Sequence, residues 1–342
     1  MSGGIDSTAA ALLLREQGYH LIGCTFRTHY TSDAMLQSAI DLAARLGVEH
    51  HIVDYSDLFD DTVIRYFREE YMAGRTPNPC VLCNRTIKFG ALMKEADRLG
   101  CDKIATGHYA RVEDGYICRA ADTRKDQTYF LWQLTPEQLN RVVFPLGNLT
   151  KLQVREYLHQ QGFETLASTG ESQDICFISD DYRSFLNLVP NPGKYILSDS
   201  IRPNPVSRPL TYCHQGYAHY TIGQRKGLGV ALGKPAFVTH LDAEHNEVTL
   251  GTHDELYSHK VSLRNVVFRG DADVPVMAQI RYRSLPQLAQ LRLGTLPTVD
   301  RQSTDSRINC ELYFNDPVWA VTPGQSCVLY QQNRLVGGGI II

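Results

Sequence analysis

The sequence predicts an α/β domain with a parallel sheet, followed by smaller antiparallel β domains. Residues 1–190 alternate helical and strand patterns, and this βαβα rhythm is typical of a parallel sheet covered by helices. After about residue 190, proline and glycine become frequent and short strand-like runs follow one another. At 342 residues, the chain is long enough for two or three domains with a sizeable core.

The first elements follow from periodicity and from stop signals. Ala and Leu recur at close spacing over Ser7–Gly18, which predicts a helix with a glycine stop. The apolar run Tyr19–Phe26 is expected to be a buried strand. A second helix, Asp33–Leu46, ends before a glycine, and His50–Val53 is the next predicted strand.

Later elements are predicted in the same way. Leu58–Tyr71 has a helical pattern, and Asn84 can cap a helix that runs to Leu99. Lys103–Thr106 is a predicted strand. Six further strand-like runs are expected in the β domains: Ala236–Leu241, Glu247–Leu250, Val261–Val267, Gln279–Arg283, Arg307–Phe314 and Ser326–Tyr330.

Composition excludes several classes of protein. Hydrophobic residues make up 43% and charged residues 21%, which argues against disordered, collagen-like and coiled-coil chains. No apolar run approaches the ~18 residues of a membrane span. The start MSGGIDST lacks the basic and apolar parts of a signal peptide, so we expect a cytoplasmic protein with no membrane partner. Its nine cysteines are expected to be mostly free thiols.

The stretch Ser2–Ser7, SGGIDS, leads directly into the first predicted helix. Its glycines let backbone N–H groups curl around an anion, and the helix N-terminus adds partial positive charge. The hydroxyls of Ser2 and Ser7 can donate to phosphate oxygens, and Asp6 could hold Mg²⁺ or cap the helix. Such a loop normally follows a buried strand, and only Met1 precedes it here. We therefore expect that the first strand is missing because the chain is truncated or its start is misplaced.

Two cysteine contexts stand out from the rest. The prolines of TPNPCVLCN stiffen a loop that delivers Cys83 to the predicted helix start, where the helix dipole would lower the pKa of the thiol. Cys176 lies in ESQDICFI, and periodicity alone predicts a small buried apolar residue there. A zinc site is disfavoured because there is no second C-x-x-C pair. An iron–sulfur cluster held by Cys80, Cys83 and one remote cysteine is an alternative.

Seven motifs occur in order along nearly the whole chain, and together they are far more specific than any one alone. The chain resembles the tRNA-specific 2-thiouridylase (MnmA) family, within the PP-loop ATPases. The motifs that carry the resemblance are SGGIDST, TPNPCVLCNRTIKFGAL, ATGHYAR, KDQTYFLWQL, ESQDICFI, YTIGQRKGLG and AVTPGQSCVLY.

The resemblance implies a domain plan and an activity. Residues 1–190 would form a PP-loop ATP-binding catalytic domain of adenine nucleotide α-hydrolase topology. Residues 191–260 would form a small central domain that contacts tRNA, and residues 261–342 a β-barrel. The family thiolates C2 of the wobble uridine in tRNA: ATP adenylates the C2 oxygen, a cysteine persulfide attacks C2, and AMP leaves with formation of a disulfide. The persulfide would come from a cysteine desulfurase or a sulfur-relay protein.

The resemblance also implies site residues, position by position. Cys176 would carry the persulfide and Cys83 would be the nucleophile that resolves it. ATP and Mg²⁺ would be bound by the loop and by two later positions: Ser2, Gly3, Gly4, Ile5, Asp6, Ser7, Thr8, Phe26 and Gly107. The tRNA would be contacted by Asn78, Pro79, Cys80, His108, Lys125, Asp126, Gln127, Arg281, Tyr282 and Gln325.

Three further expectations accompany these assignments. The target uridine must leave its stack to reach a buried site, so a flipped base is expected. Residues 181–235 carry seven Lys or Arg against two acids and are expected to meet the tRNA backbone. The alternatives are another AMP-forming PP-loop ligase or amidotransferase, which would not need the two cysteines, and a non-catalytic RNA-binding or iron–sulfur protein.

Overall fold

The computed structural model describes residues 1–168, 170, 175–178, 181–202, 212–293 and 308–342. The α-helices described there are α1 (Ile5–Glu16), α2 (Asp33–Leu46), α3 (Ser56–Phe59), α4 (Arg65–Met72), α5 (Pro79–Cys83), α6 (Leu92–Arg98), α7 (Pro136–Leu139), α8 (Lys151–Gln160), α9 (Glu164–Ala167) and α10 (Tyr182–Phe185). Two π-helical segments cover Asp60–Ile64 and Asn84–Ala91, and 3-10 turns cover Thr128–Phe130, Tyr217–His219 and Asp254–Leu256.

The strands alternate with helices in the first part of the chain and follow one another in the last part. They are β1 (Ile22–Arg27), β2 (Glu49–Asp54), β3 (Ile104–Ala105), β4 (Arg111–Glu113), β5 (Tyr116–Cys118), β6 (Val142–Val143), β7 (Gly193–Leu197), β8 (Cys213–His214), β9 (Phe237–Asp242), β10 (Glu247–Gly251), β11 (Tyr257–Phe268), β12 (Val276–Gln279), β13 (Gln287–Leu293), β14 (Ile308–Trp319), β15 (Ser326–Gln331) and β16 (Arg334–Ile341).

The chain divides into two compact units. The first contains Met1–Ile64, the described part of Pro79–Ser179, and Gln332–Val336. The second contains Arg65–Asn78, the described residues between Asp180 and Gln331, and Gly337–Ile342. The helical stretch between residues 56 and 72 therefore passes from one unit into the other along the chain.

The first unit has the α/β character that the sequence predicts. β1 pairs with β2 in parallel, and β3 pairs with β6 in parallel. The helices α1, α2 and α8 bury a common core that includes Leu12, Leu42 and Leu158. Met1 lies beside β1, where its amino group donates to the carbonyl of Cys24 and its own carbonyl accepts from the Thr25 hydroxyl. This anchors the start of the loop that leads into α1.

Besides the helices α4 and α10, the second unit contains two β structures. A four-stranded sheet has the order β8-β7-β10-β9, with Val238, Val248 and Leu250 fully buried in its core. Six antiparallel strands in the order β11-β14-β13-β12-β15-β16 form a barrel, which closes where β11 pairs with residues 337–341 of β16. The predicted fold class, a parallel α/β domain followed by a small central domain and a C-terminal β-barrel, is confirmed.

Two predicted elements differ from the structure. The run Gln279–Arg283 was expected to be a strand, but β12 ends at Gln279 because the Gln279 side chain donates to the carbonyls of Arg281 and Tyr282 and stabilises a turn. Arg307, the first residue of another predicted strand, lies outside the described residues. The helix predicted to start at Asn84 starts at Pro79 instead, which changes the surroundings of Cys83.

Candidate active site

The loop before α1 has the geometry of an anion-binding turn. Gly3 is buried at φ +71°, in the left-handed region that favours glycine. Gly4 is the N-cap of α1, and its carbonyl accepts from the hydroxyls of Ser7 at 3.0 Å and Thr8 at 2.8 Å. These bonds fix the first turn of α1. The free backbone N–H groups and the positive end of the helix dipole therefore both face the loop, where an anion can bind. The Ser2 hydroxyl donates to that of Ser7 at 3.1 Å.

We predict that Gly3→Ala destabilises the first unit more than Gly18→Ala does. Both glycines have left-handed φ, at +71° and +84°, but a Cβ at Gly3 would lie 2.5 Å from Ser38 Oγ, whereas one at Gly18 meets nothing within 4 Å. The conformational cost alone is about 1–2 kcal/mol, and crowding adds to it only at Gly3. Thermal or chemical unfolding of both variants measures the difference; equal losses would show that the loop tolerates a Cβ.

A half-buried ion pair joins the first turn of α1 to the first residue of α8. Asp6 Oδ1 accepts from Lys151 Nζ at 2.7 Å and from the Tyr109 hydroxyl at 2.9 Å. The Lys151 side chain is 13% exposed, so Asp6 supplies the counter-charge of a nearly buried ammonium. Gly107 packs against the Asp6 backbone, where a Cβ would come within 2.8 Å of the Asp6 carbonyl carbon. Asp6 therefore does not cap α1, whose N-cap makes no side-chain bond.

The segment that carries Cys80 and Cys83 is helical from its first proline. Pro79 begins α5, a position where its fixed φ is favourable. Asn84 is 2% exposed and donates to the Phe130 carbonyl at 3.1 Å instead of capping a helix. The expectation of a helix N-terminus that lowers the pKa of Cys83 is wrong. The thiol is 7% exposed, and burial raises its pKa to about 12.

Cys176 lies at the surface beside a buried aromatic anchor. Phe177 is 8% exposed, with its ring 5.7 Å from that of Phe59 and 5.9 Å from that of Tyr30. Because Phe177 fills the core position, Cys176 is exposed, and the periodicity-based prediction of a buried apolar cysteine is wrong. The pKa of its thiol is raised by desolvation from the surrounding protein. Residues 171–174 of its motif lie outside the described residues.

One cation acts on both thiols. The Lys88 ammonium, on the π-helical segment, lowers the pKa of Cys83 and of Cys176 against the larger effect of burial. Negative charge at Cys176 or Cys80 would in turn raise the pKa of Cys83, so that the three sulfur positions and Lys88 form one electrostatic cluster. A π-helical segment is a common feature of functional sites because its wider turn redirects side chains.

The raised pKa of Cys83 predicts the pH dependence of its reaction with iodoacetamide. Only the thiolate reacts, and with a pKa of about 12 its fraction rises about tenfold per pH unit from pH 8 to 11. The denatured protein is the control, since an unperturbed thiol with a pKa of about 8.5 levels off above pH 9. Mass spectrometry of the Cys83 peptide follows the reaction; a plateau below pH 9 in the folded protein would contradict this electrostatic picture.

The residues of the first unit expected to contact tRNA are engaged within the protein. His108 is 8% exposed, its Nδ1 lies 2.7 Å from the Thr106 hydroxyl, and burial together with Lys88 holds its pKa well below the usual range. Asp126 accepts from Arg119 at 3.1 Å, while the Gln127 side chain accepts from the amide of Tyr109 at 3.0 Å. The neighbouring Lys125 is half-buried.

The corresponding residues of the second unit are also held in place. Asn78 Nδ2 donates to Gln325 Oε1 at 2.6 Å. Arg281 Nη2 donates to the Ala320 carbonyl at 2.9 Å, and the carbonyl of Tyr282 accepts from a side chain of the same turn at 2.7 Å. The role of these residues towards tRNA remains a prediction.

The structure describes only part of the predicted basic stretch 181–235. Arg208 lies outside the described residues. Arg225 and Lys226 are exposed, and Arg225 lines an open cleft of about 400 Å³ together with Lys234. The role of these cations towards a tRNA backbone stays a prediction.

Two cations of the site, Lys151 and Lys88, were not found from the sequence. Lys151 follows Thr150 in T-K-L-Q, which signals a capped helix but not a partner 145 residues away. Lys88 lies in the TPNPCVLCNRTIKFGAL motif, five residues after Cys83, a spacing that an ordinary α-helix would not bring to one face. Tyr109, in the ATGHYAR motif, gave no sign that it would hold Asp6.

The described residues, 1–168, 170, 175–178, 181–202, 212–293 and 308–342, hold no candidate metal site and no membrane-spanning helix. Over these ranges, His, Cys, Asp and Glu side chains do not gather into a group of three or more that could hold a metal ion. Over the same ranges, no helix is both long and apolar enough to cross a membrane. The iron–sulfur alternative keeps a direct test, since a cluster would give visible absorbance after anaerobic purification.

Family models match three consecutive parts of the chain. Residues 1–180 match the model described as tRNA methyl transferase HUP domain. Residues 212–252 match the tRNA methyl transferase PRC-barrel domain, and residues 258–341 match the aminomethyltransferase beta-barrel domain. With the anion-binding loop and the parallel strands of the first unit, these matches define a HUP-domain protein that carries two further β domains.

Similar proteins cover the whole chain. A Bacteroides fragilis protein named tRNA-specific 2-thiouridylase MnmA 3 is 42% identical over 356 residues, covering 100% of this chain and 92% of the relative. Proteins named tRNA-specific 2-thiouridylase MnmA from Carboxydothermus hydrogenoformans and Cytophaga hutchinsonii are 42% and 39% identical, with 100% of this chain and 96% and 95% of theirs covered. The chain belongs to the tRNA-specific 2-thiouridylase MnmA family, as its motifs indicated.

Proposed function

We propose that the protein is an AMP-forming tRNA-uridine 2-sulfurtransferase, which replaces the C2 oxygen of a wobble uridine with sulfur. One observation carries the proposal: an anion-binding loop and two thiols under the influence of one lysine lie in the same compact unit. Neither feature alone requires sulfur transfer, since a phosphate loop serves many ligases. Together they supply the activation and the nucleophile that thiolation needs.

ATP would bind at the loop before α1. The N–H groups of Gly3 to Ser7 and the helix dipole would hold the phosphates, and Gly107 would keep the backbone close. Adenine would meet the backbone at Phe26, near the carboxyl end of β1. The Asp6 carboxylate is the ligand type that Mg²⁺ prefers, and bound Mg²⁺ would neutralise phosphate charge. Lys151 would be released from Asp6 towards the phosphates.

The sulfur step would use both thiols. The C2 oxygen of uridine attacks the α-phosphorus of ATP and displaces pyrophosphate. The outer sulfur of a Cys176 persulfide then bonds to C2, and AMP leaves with the former C2 oxygen. The Cys83 thiolate attacks the inner sulfur, which leaves the outer sulfur on uridine and forms a Cys83–Cys176 disulfide. A thiol reductant restores the two thiols.

The exposure of Cys176 and the burial of Cys83 suit these different roles. A persulfide must be loaded by an external donor, a cysteine desulfurase or a sulfur-relay protein, and Cys176, which is an exposed residue, can receive it. Cys83, 7% exposed, is protected from the same donor and from off-pathway oxidation. Asn78, Pro79 and Cys80 would line the flipped base, and the remaining predicted residues would hold the tRNA.

The test is a thiolation assay with purified protein, unmodified tRNA, ATP–Mg²⁺ and a persulfide source. Nucleosides are identified by mass spectrometry after digestion, and thiolated tRNA is separated on a mercury-affinity gel. We expect 2-thiouridine that depends on ATP. A methylated nucleoside, or ATP cleavage without any change in tRNA, would contradict the proposal and favour methyl transfer or another PP-loop ligase.

A further inference from the structure

Both residues that donate to Asp6 are also bonded to one loop of the first unit, residues 122–127. The Tyr109 hydroxyl and Lys151 Nζ reach the same oxygen, Asp6 Oδ1, at 2.9 Å and 2.7 Å. All of these residues belong to the first unit. The 122–127 loop carries three of the residues expected to contact tRNA: Lys125, Asp126 and Gln127. One hydrogen-bond network therefore joins the carboxylate of the ATP loop to this loop.

Tyr109 is bonded to Gln127 at two points. The Gln127 backbone amide donates to the Tyr109 carbonyl at 2.9 Å, and Gln127 Oε1 accepts from the Tyr109 backbone amide at 3.0 Å. Because an N–H group faces the side-chain amide, its oxygen points to Tyr109, and its NH₂ group is the part that can donate to tRNA. Tyr109 is 2% exposed and belongs to the core around α1, so its hydroxyl reaches Asp6 from a fixed position.

Lys151 is bonded to the same loop through Asp122. The Lys151 backbone amide, at the start of α8, donates to Asp122 Oδ2 at 2.9 Å, and Asp122 Oδ1 accepts from the Arg124 amide at 3.0 Å. The Asp122 carbonyl accepts from the Lys125 amide at 3.1 Å. Asp122 thus fixes the turn that presents Lys125, and its carboxylate holds the residue whose side chain binds Asp6.

We propose that Tyr109 is a positioning residue that couples the two substrate sites, so that tRNA and ATP each strengthen the binding of the other. Contacts between tRNA and Gln127 order Tyr109 and, through its hydroxyl, the Asp6 carboxylate. ATP then binds with a smaller loss of conformational entropy, because part of its site is already ordered. When Lys151 turns towards the phosphates, the Tyr109 hydroxyl still orients Asp6. The identity of the two ligands rests on the proposed function.

The test measures the Kd of α,β-methylene-ATP with Mg²⁺, in the presence and in the absence of unmodified tRNA. This analogue is not cleaved between its α and β phosphates, so binding is measured without reaction. Tyr109→Phe removes the hydroxyl and keeps both bonds to Gln127. Tyr55→Phe is the matched control, because it removes a hydroxyl that donates to the Ala91 carbonyl at 3.1 Å in the same unit. Hydrogen exchange of the Gln127 amide is measured in parallel in protein without substrates.

In the unaltered protein and in Tyr55→Phe, tRNA is expected to strengthen binding of the analogue about fivefold or more. In Tyr109→Phe we expect an effect below about twofold, and exchange of the Gln127 amide about fivefold faster, since a hydrogen bond to a charged group is lost. A purely structural role of Tyr109 would lower the temperature of unfolding and leave the ratio of the two Kd values unchanged.

Coupling that persists in Tyr109→Phe, or that is absent from the unaltered protein, would overturn the proposal. If the protein binds neither the analogue nor tRNA, the proposed function fails, whereas unchanged exchange at Gln127 in Tyr109→Phe would show separately that Tyr109 does not hold this loop. Should Tyr109→Phe fail to fold, the unaltered protein decides: the analogue alone is expected to slow exchange of the Gln127 amide about fivefold, and no change would contradict the proposal.

Discussion

Cys83→Ser and Cys176→Ser are each expected to lower the rate of tRNA thiolation by about a thousandfold or more, because removal of a reacting nucleophile leaves only binding and orientation. A serine at Cys176 cannot carry a persulfide sulfur. A serine at Cys83 cannot attack the inner sulfur of a persulfide, so the thiolated product would stay attached to the protein. The expected losses of thiolation rate are therefore similar in size, but Cys176→Ser fails to carry the sulfur and Cys83→Ser fails to release the product.

The readout separates these two defects from loss of fold. Thiolated tRNA is measured on a mercury-affinity gel, and ATP binding is measured in parallel, since the loop before α1 is unchanged and should still bind. Cys213→Ser is the matched control, as this cysteine is exposed in the second unit. Full thiolation by either active-site variant would show that the two-thiol route is wrong.

Asp6→Ala and Lys151→Met are the changes with the second largest expected effect. Each should lower the rate of ATP-dependent adenylation by about a hundredfold to a thousandfold, the range found when one preorganised charge is removed from an active site. Asp6→Ala also leaves the Lys151 ammonium, 13% exposed, without its carboxylate partner. We therefore expect this variant to lose stability as well as activity.

Adenylation is followed by pyrophosphate release in the presence of tRNA. Lys94→Met, at an exposed position of α6, is the control for loss of a positive charge as such. Thermal unfolding of all three variants separates instability from a catalytic defect. Unchanged pyrophosphate release in Lys151→Met would show that Lys151 has no role in adenylation. The ion pair with Asp6 would then have a structural role only.

Capping residues, glycines and apolar patterns predicted the elements whose bounds depend on neighbouring residues in the sequence. The helix Asp33–Leu46 has the predicted bounds because Ser32 caps its start, accepting from the Met35 amide, and Gly47 ends it at φ +63°. The loop before α1 was predicted because the full string SGGIDS precedes a helix rich in Ala and Leu, which is much more specific than the glycines alone. Short strand-like runs likewise predicted β11, β14 and β15 of the barrel, whereas β13 and β16 were not predicted.

The rest depends on contacts between distant residues, which one sequence does not reveal. Asn84 looked like a helix cap, but its amide is used by a carbonyl 46 residues away and the helix begins five residues earlier. Periodicity predicted Cys176 to be a small buried apolar residue, yet Phe177 takes the core position. The cations at 88 and 151 reach the site through a π-helical turn and a long-range ion pair.

The most direct test of the account is a single turnover of protein loaded with one persulfide, without added reductant. Three products are counted per protein molecule: 2-thiouridine and AMP by mass spectrometry, and the Cys83–Cys176 disulfide by peptide mapping. The account predicts equal amounts of all three, appearing together and only with ATP. Formation of 2-thiouridine while both Cys83 and Cys176 remain thiols would contradict it.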